Sequence, residues 1–182
     1  MRRAAALVVA ALALSAPARA DDRVASDLAL APELVGAASG GGARAGVGAR
    51  GHYLATVGAY ARAFPSSPAR AAVGVDARPL FLPRWLKNQE GERSFLELVI
   101  DSLHLSMGAV LEARARPSFE IGGGLEVPVQ ATFTGAYVGV EAMWWARQPA
   151  LAGAGEGAWV GVVSLGYRFG VVSHAVDARD RR

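Results

Sequence analysis

Between residues 43 and 170 the chain alternates apolar and polar residues with a period of two, and the charges keep to one side of that alternation. A strand sends successive side chains to opposite faces, whereas a helix at 3.6 residues per turn would mix them. Seven segments carry the pattern: residues 43–50, 52–63, 70–81, 103–114, 118–128, 132–145 and 158–170. In the fourth, Leu103, Leu105, Met107, Ala109, Leu111 and Ala113 oppose His104, Ser106, Gly108, Val110, Glu112 and Arg114. In the last, Trp159, Val163, Leu165, Tyr167 and Phe169 oppose Ser164, Gly166 and Arg168. Turn signals separate the segments, the sharpest being Pro65-Ser66-Ser67-Pro68 and Arg116-Pro117. This predicts an all-β, antiparallel, up-and-down sheet.

The polar face is rich in Gly and holds Arg62, Arg70, Asp76, Arg78, Glu112, Glu120, Glu126, Glu141 and Arg168, and the apolar face carries no charge. Eight strands closed into a barrel enclose a space that side chains can fill. Acids and bases could pair in such a space, while Val, Leu, Ala and Phe outside would suit lipid. Trp144, Trp145, Trp159, Tyr167 and Phe169 lie toward strand ends, where interfacial aromatic girdles form. The alternative is a soluble, lipocalin-like ligand-binding barrel with its apolar face turned inward. The many Ala and Gly on that face would fill a core poorly.

Membrane barrels of this size use an even number of strands, so seven segments call for an eighth. Leu34–Ala38 and Val171–Val176 both qualify. Ser39-Gly40-Gly41-Gly42 reads as a flexible break, and Arg84 to Arg93 as the longest loop. Residues 94–101 fit a short helix and a strand extension equally, because Ser94 and Glu97 have capping-box spacing. The barrel is expected over 34–176, after a leader over 21–33 and before a charged tail over 177–182.

The first twenty residues read as a cleavable secretory signal. Arg2 and Arg3 precede an apolar run from Ala4 to Leu14, Pro17 breaks it, and Ala18-Arg19-Ala20 gives a small-x-small cleavage site. Eleven apolar residues make a helix of about 16 Å, too short for a bilayer core of about 30 Å. Cleavage removes three of the nineteen basic residues and no acid, leaving sixteen of each. The basic balance thus belongs to the signal, and no nucleic-acid partner is expected. With no Cys in the chain there is no disulfide, thiolate metal site or lipidated N-terminal Cys.

On these features the chain resembles small outer-membrane β-barrel proteins of the OmpA and OmpW type. The signal, the alternating strands and the segment Trp159-Val-Gly-Val-Val-Ser-Leu-Gly-Tyr-Arg-Phe169 carry the resemblance. It implies an outer-membrane location, with membrane lipid and the barrel-insertion machinery as partners. That family usually ends at the terminal aromatic, whereas this chain runs thirteen residues beyond Phe169.

Chemistry-bearing patterns are few. His104 and Ser106 are two apart on a strand and share a face, and Glu112 or Glu120 could orient the imidazole. Some outer-membrane lipid A deacylases resemble this, with a His-x-Ser pair and a Glu, which makes a lipid hydrolase the enzymatic alternative. The competing reading makes both residues ordinary lumen groups. Gly122-Gly123-Gly124 lacks the Lys of a phosphate loop and fits a bend or close packing in a barrel wall. His52 and His174 have no partner at metal-ligand spacing, so neither metal nor cofactor is expected. Trp85 and Lys87 make the 84–93 loop the candidate binding segment, since loops on rigid scaffolds carry recognition. The expected role is structural or interactive, with a charge-paired, plugged interior.

Overall fold

The computed structural model describes residues 28–80, 95–112, 117–130, 134–146 and 157–171. These form eight strands: β1 (Leu28–Ser39), β2 (Gly42–Tyr53), β3 (Val57–Phe64), β4 (Arg70–Ala77), β5 (His104–Glu112), β6 (Ser118–Pro128), β7 (Gly135–Ala146) and β8 (Gly157–Val171). Each pairs antiparallel with the next, and β8 returns to β1 to close the barrel. One helix, α1 (Phe95–Asp101), lies between β4 and β5. The start of β1 and the end of β8 share one rim with the β2–β3, β4–β5 and β6–β7 connections, here the terminal rim. The other four connections lie at the opposite, hairpin rim.

The eighth strand is β1. It contains Leu34–Ala38 but begins at Leu28, inside the stretch read as leader, so that boundary moves back. Pro32 hid the alternation. It takes an outward position and pairs in register with Ala49 of β2, but no β1–β8 pair falls between Leu30↔Phe169 and Glu33↔Gly166. A proline has no N–H to give to a ladder. Gly40 and Gly41 form a two-residue hairpin turn, with Gly42 at φ +114°, so the glycine run is a tight connection and not a flexible break. Residues 172–176 lie outside the described residues.

Two further expectations change. The segment 52–63 is not one strand: β2 ends at Tyr53, residues 54–56 turn, and β3 starts at Val57. Leu54 and Ala55 take φ of 49° and 54°, and Thr56 N–H bonds the Tyr53 carbonyl at 3.1 Å. A three-residue turn preserves parity, so Tyr53 and Val57 both face outward and the alternation runs on unbroken across it. The segment 70–81 ends as a strand at Ala77, and Phe81 lies outside the described residues.

Residues 94–101 resolve as helix from Phe95. Leu98, Asp101 and Ser102 are buried at i, i+3 and i+4, the spacing of one helical face. Ser102 holds the join to β5. Its Oγ donates to the Glu126 carbonyl at 2.7 Å and accepts from the Glu126 N–H at 2.8 Å. One side chain thus serves both backbone groups that β6 presents where the partner strand has become helix.

The polar face points into the barrel and the apolar face outward, the reverse of the lipocalin-like arrangement. Leu34, Val47, Val73, Leu105, Ile121, Val140, Val163 and Leu165 are all exposed. On the outside, Trp144 and Trp159 meet edge-on at 5.6 Å near the hairpin rim, and Tyr53 and Phe169 lie toward the terminal rim. Ten residue steps separate Trp159 from Phe169 on β8. At about 3.3 Å per step and a tilt of about 40°, the belt is about 25 Å tall, the height of a membrane barrel's apolar band. Trp145, expected in the girdle, is instead buried inside against Phe64, with ring centroids 6.5 Å apart. It follows Trp144 directly, so period two sends it to the other face.

Val163→Arg, in the middle of the belt, is expected to destabilise the barrel in lipid by about 2–4 kcal/mol, against about 0–1 for Val171→Arg at its edge. Urea unfolding titrations in phospholipid vesicles would measure both.

Candidate functional site in the barrel interior

The interior has two layers. Toward the hairpin rim it is apolar: Val35, Ala37, Phe64, Ala72, Val110, Met143, Trp145, Val160 and Val162 pack together, with Tyr60 beneath them. The expectation of a charge-filled lumen missed this layer. Its residues sit at inward positions of the same period, so only the apolar–polar division disguised them. Toward the terminal rim the interior is ionic. Buried there, among the described residues, are Arg50, Arg62, Arg78 and Arg168 with Glu33, Asp76, Glu126 and Glu141, while the buried Glu120, two residues from the hairpin end of β6 and in register with Trp145, lies in the apolar layer.

Arg50 organises the ionic layer. Its guanidinium lies 3.0 Å from Asp76 Oδ2 and 3.6 Å from both Glu33 Oε1 and Glu126 Oε1, and it donates to Glu141 Oε1. Glu141 Oε1 also accepts from Arg62 Nη2 at 2.5 Å. Glu126 Oε2 accepts from Arg78 Nη2 at 2.6 Å and from Arg168. His52 Nε2 lies 3.3 Å from Asp76 Oδ2. Tyr137 donates to Glu33 at 2.7 Å and Tyr60 to Glu120 at 2.5 Å. The Arg62 guanidinium stacks 4.7 Å over the Tyr60 ring. Glycines make room for that ring: a Cβ on Gly74 or Gly108 would fall 2.6 or 2.8 Å from its phenol end.

Of the nine charges read from sequence, Arg62, Asp76, Arg78, Glu120, Glu126, Glu141 and Arg168 lie in the buried interior. Arg70 and Glu112 pair with each other at 2.8 Å but are part-exposed near the hairpin rim, apart from the ionic layer. Arg50 was on the polar face of its segment yet absent from the expected network, and Glu33 was hidden in the assumed leader. Both were legible: Arg50 ends a run that alternates from Ala43, and Glu33 alternates with Leu30, Pro32 and Leu34. Trp85 and Lys87 lie outside the described residues, in the connection that also holds α1.

His104 and Ser106 are both buried, but no hydrogen bond joins them. His104 Nδ1 donates to the Ser102 carbonyl at 2.9 Å, and Nε2 accepts from Arg50 Nη1 at 3.1 Å. A general base needs one ring nitrogen on the serine hydroxyl, and Ser106 Oγ has no hydrogen-bond partner among the described residues. Glu112 is eight residues along the same strand, about 26 Å away. Glu120 is engaged by Tyr60, and the carboxylate near the imidazole is Glu141, at 3.7 Å. Gly122 and Gly124 face the β7 backbone, where a Cβ would clash with the carbonyls of Ala142 and Val140. No group of three His, Cys, Asp or Glu among the described residues could hold a metal ion.

Arg50→Met is expected to cost about 3–5 kcal/mol, because it strips a shared partner from buried carboxylates. Arg70→Met, at the part-exposed pair, should cost about 1 kcal/mol or less. Adding Glu141→Gln to Arg50→Met should recover part of the loss, and a double-mutant cycle on unfolding in vesicles would show whether it does.

No family model and no curated relative matches the chain. Among solved structures it is similar to the N-terminal β-barrel domain of Pseudomonas aeruginosa OprF, at 12% identity and a TM-score of 0.45, over 78% of this chain and 97% of that one. It is similar to the outer membrane protein OprG of the same organism at 11% identity and a TM-score of 0.39, over 80% and 97% of the two chains. The corresponding figures for Neisserial surface protein A are 10% and 0.37, over 79% and 96%.

Proposed function

We propose that the protein is a small outer-membrane barrel with a closed, ion-paired interior and a structural or interactive role. One observation carries this reading: the charged residues are buried inside the barrel while its outside is a bare apolar belt. Water would penalise that outside, whereas membrane lipid covers it. A closed barrel also leaves no unpaired strand edge in lipid. The signal-like first twenty residues supply the export route, and the barrel-insertion machinery would place the chain in the membrane.

The interior supports a plug and not a pore. Tyr137, Phe64, Met143, His52, Glu120, Val162 and Asp76 are fully buried across both layers, leaving side chains where a channel would run. Specificity would then belong to the connections, Trp85 and Lys87 among them. A lipid hydrolase at His104 and Ser106 is disfavoured by the imidazole's existing partners and by burial on the face away from lipid.

The mature protein should fractionate with the outer membrane and require detergent for release. In planar bilayers it should show no large, stable conductance, and such a conductance would contradict the plug. Ser106→Ala should leave lipid A acylation unchanged in whole cells, as read by mass spectrometry, and a change that depends on Ser106 would restore the hydrolase.

A further inference from the structure

Helix α1 is apolar on two sides. Leu98 faces the barrel beside Asp101 and Ser102, and all three are buried. On the opposite side Leu96 is 64% exposed, with Val99 and Ile100 partly covered, and Phe95 is exposed at the first turn. A surface helix ordinarily turns polar residues away from its protein, so a second apolar face needs a cover. The chain leads from that face directly onto the lipid-facing belt, since Leu103 and Leu105 are the next outward positions and both are exposed. The bond from Ser102 to Glu126, two residues before the end of β6, pins the helix at the terminal rim.

We propose that α1 is an interfacial helix whose outer face, centred on Leu96, lies in the boundary between headgroups and acyl chains. The lipid around the barrel is its occupant, because the exposed face of α1 continues the surface that lipid already covers. An amphipathic helix binds such a boundary through its buried apolar area. The position of α1 at the rim would fix how deep the barrel sits and resist its tilting. The inference rests on the membrane reading above.

The chain has no Cys, so one engineered thiol reports one position. Leu96→Cys, labelled with NBD in the full mature protein, would be reconstituted into phosphatidylcholine–phosphatidylglycerol vesicles. Val163→Cys, labelled the same way, reports the middle of the belt. At position 96 the expected result is blue-shifted emission, loss of quenching by aqueous iodide, and stronger quenching by bromines high on the acyl chain than by bromines near its end. Val163→Cys should show the opposite depth order. Iodide quenching at 96 with bromine quenching at 163 would overturn the interfacial helix and leave the membrane barrel standing. A label at 96 shielded from both quenchers would mean protein covers the face, through a second copy or another segment of this chain, and would also overturn it. Iodide quenching at both positions would overturn the membrane reading itself.

Discussion

A guanidinium buried inside a barrel must be paired, and Arg50 is paired with four carboxylates that come from four different strands. Through them the network reaches every stave. Glu33 stands on β1, Arg50 on β2, Arg62 on β3, Asp76 on β4, His104 on β5, Glu126 on β6, Glu141 on β7 and Arg168 on β8. No open sheet could bring these eight together. Closure of the barrel and satisfaction of the ions are therefore one event: each supplies the condition for the other.

What such a network contributes is selection of register more than raw stability. Replacing a buried ion group with well-packed apolar residues is often neutral or stabilising. A one-residue slip of a strand, however, carries its whole inward set to the outside. For β7 a slip would turn Glu141 onto the apolar outside and Val140 among the arginines, while the native register opposes Glu141 to Val162 of β8 with its charge inward. Each charge displaced to mid-bilayer costs on the order of 2–4 kcal/mol for a base and less for an acid. The penalty falls on wrong pairings, which is how an Ala- and Gly-rich wall can still choose a single alignment. The apolar layer at the hairpin rim fills the other half of the bore.

Much of this was legible in the sequence because period two is a property of the backbone, and an apolar outside with charges inside makes it conspicuous. What escaped did so for physical reasons. Pro32 interrupted β1 as a pattern although its side chain takes a regular outward position, and its missing N–H coincides with a gap in the ladder to β8. The turn at Leu54 and Ala55 uses positive φ without Gly or Pro, and its odd length keeps the alternation in phase. Inward residues were recognised when charged and missed when apolar, as with Met143, Trp145, Val160 and Val162, since an apolar inward residue is silent in an apolar–polar pattern. His104 and Ser106 could be placed on one face from spacing alone. That Arg50 would claim the imidazole required the third dimension, because fifty-four positions separate the two residues.

The central claim is that the two faces of each strand see lipid on one side and a dry, ion-paired interior on the other. Nitroxide scanning of β8 at single engineered cysteines tests it most directly, at positions 162, 163, 164 and 165 of the protein in vesicles. Collision with oxygen, which concentrates in lipid, should be high at 163 and 165 and low at 162 and 164. Collision with a water-soluble nickel chelate should be low at all four. High nickel access at 162 and 164 would mean a water-filled bore, and high nickel access at 163 and 165 would mean that the apolar belt is not in a membrane.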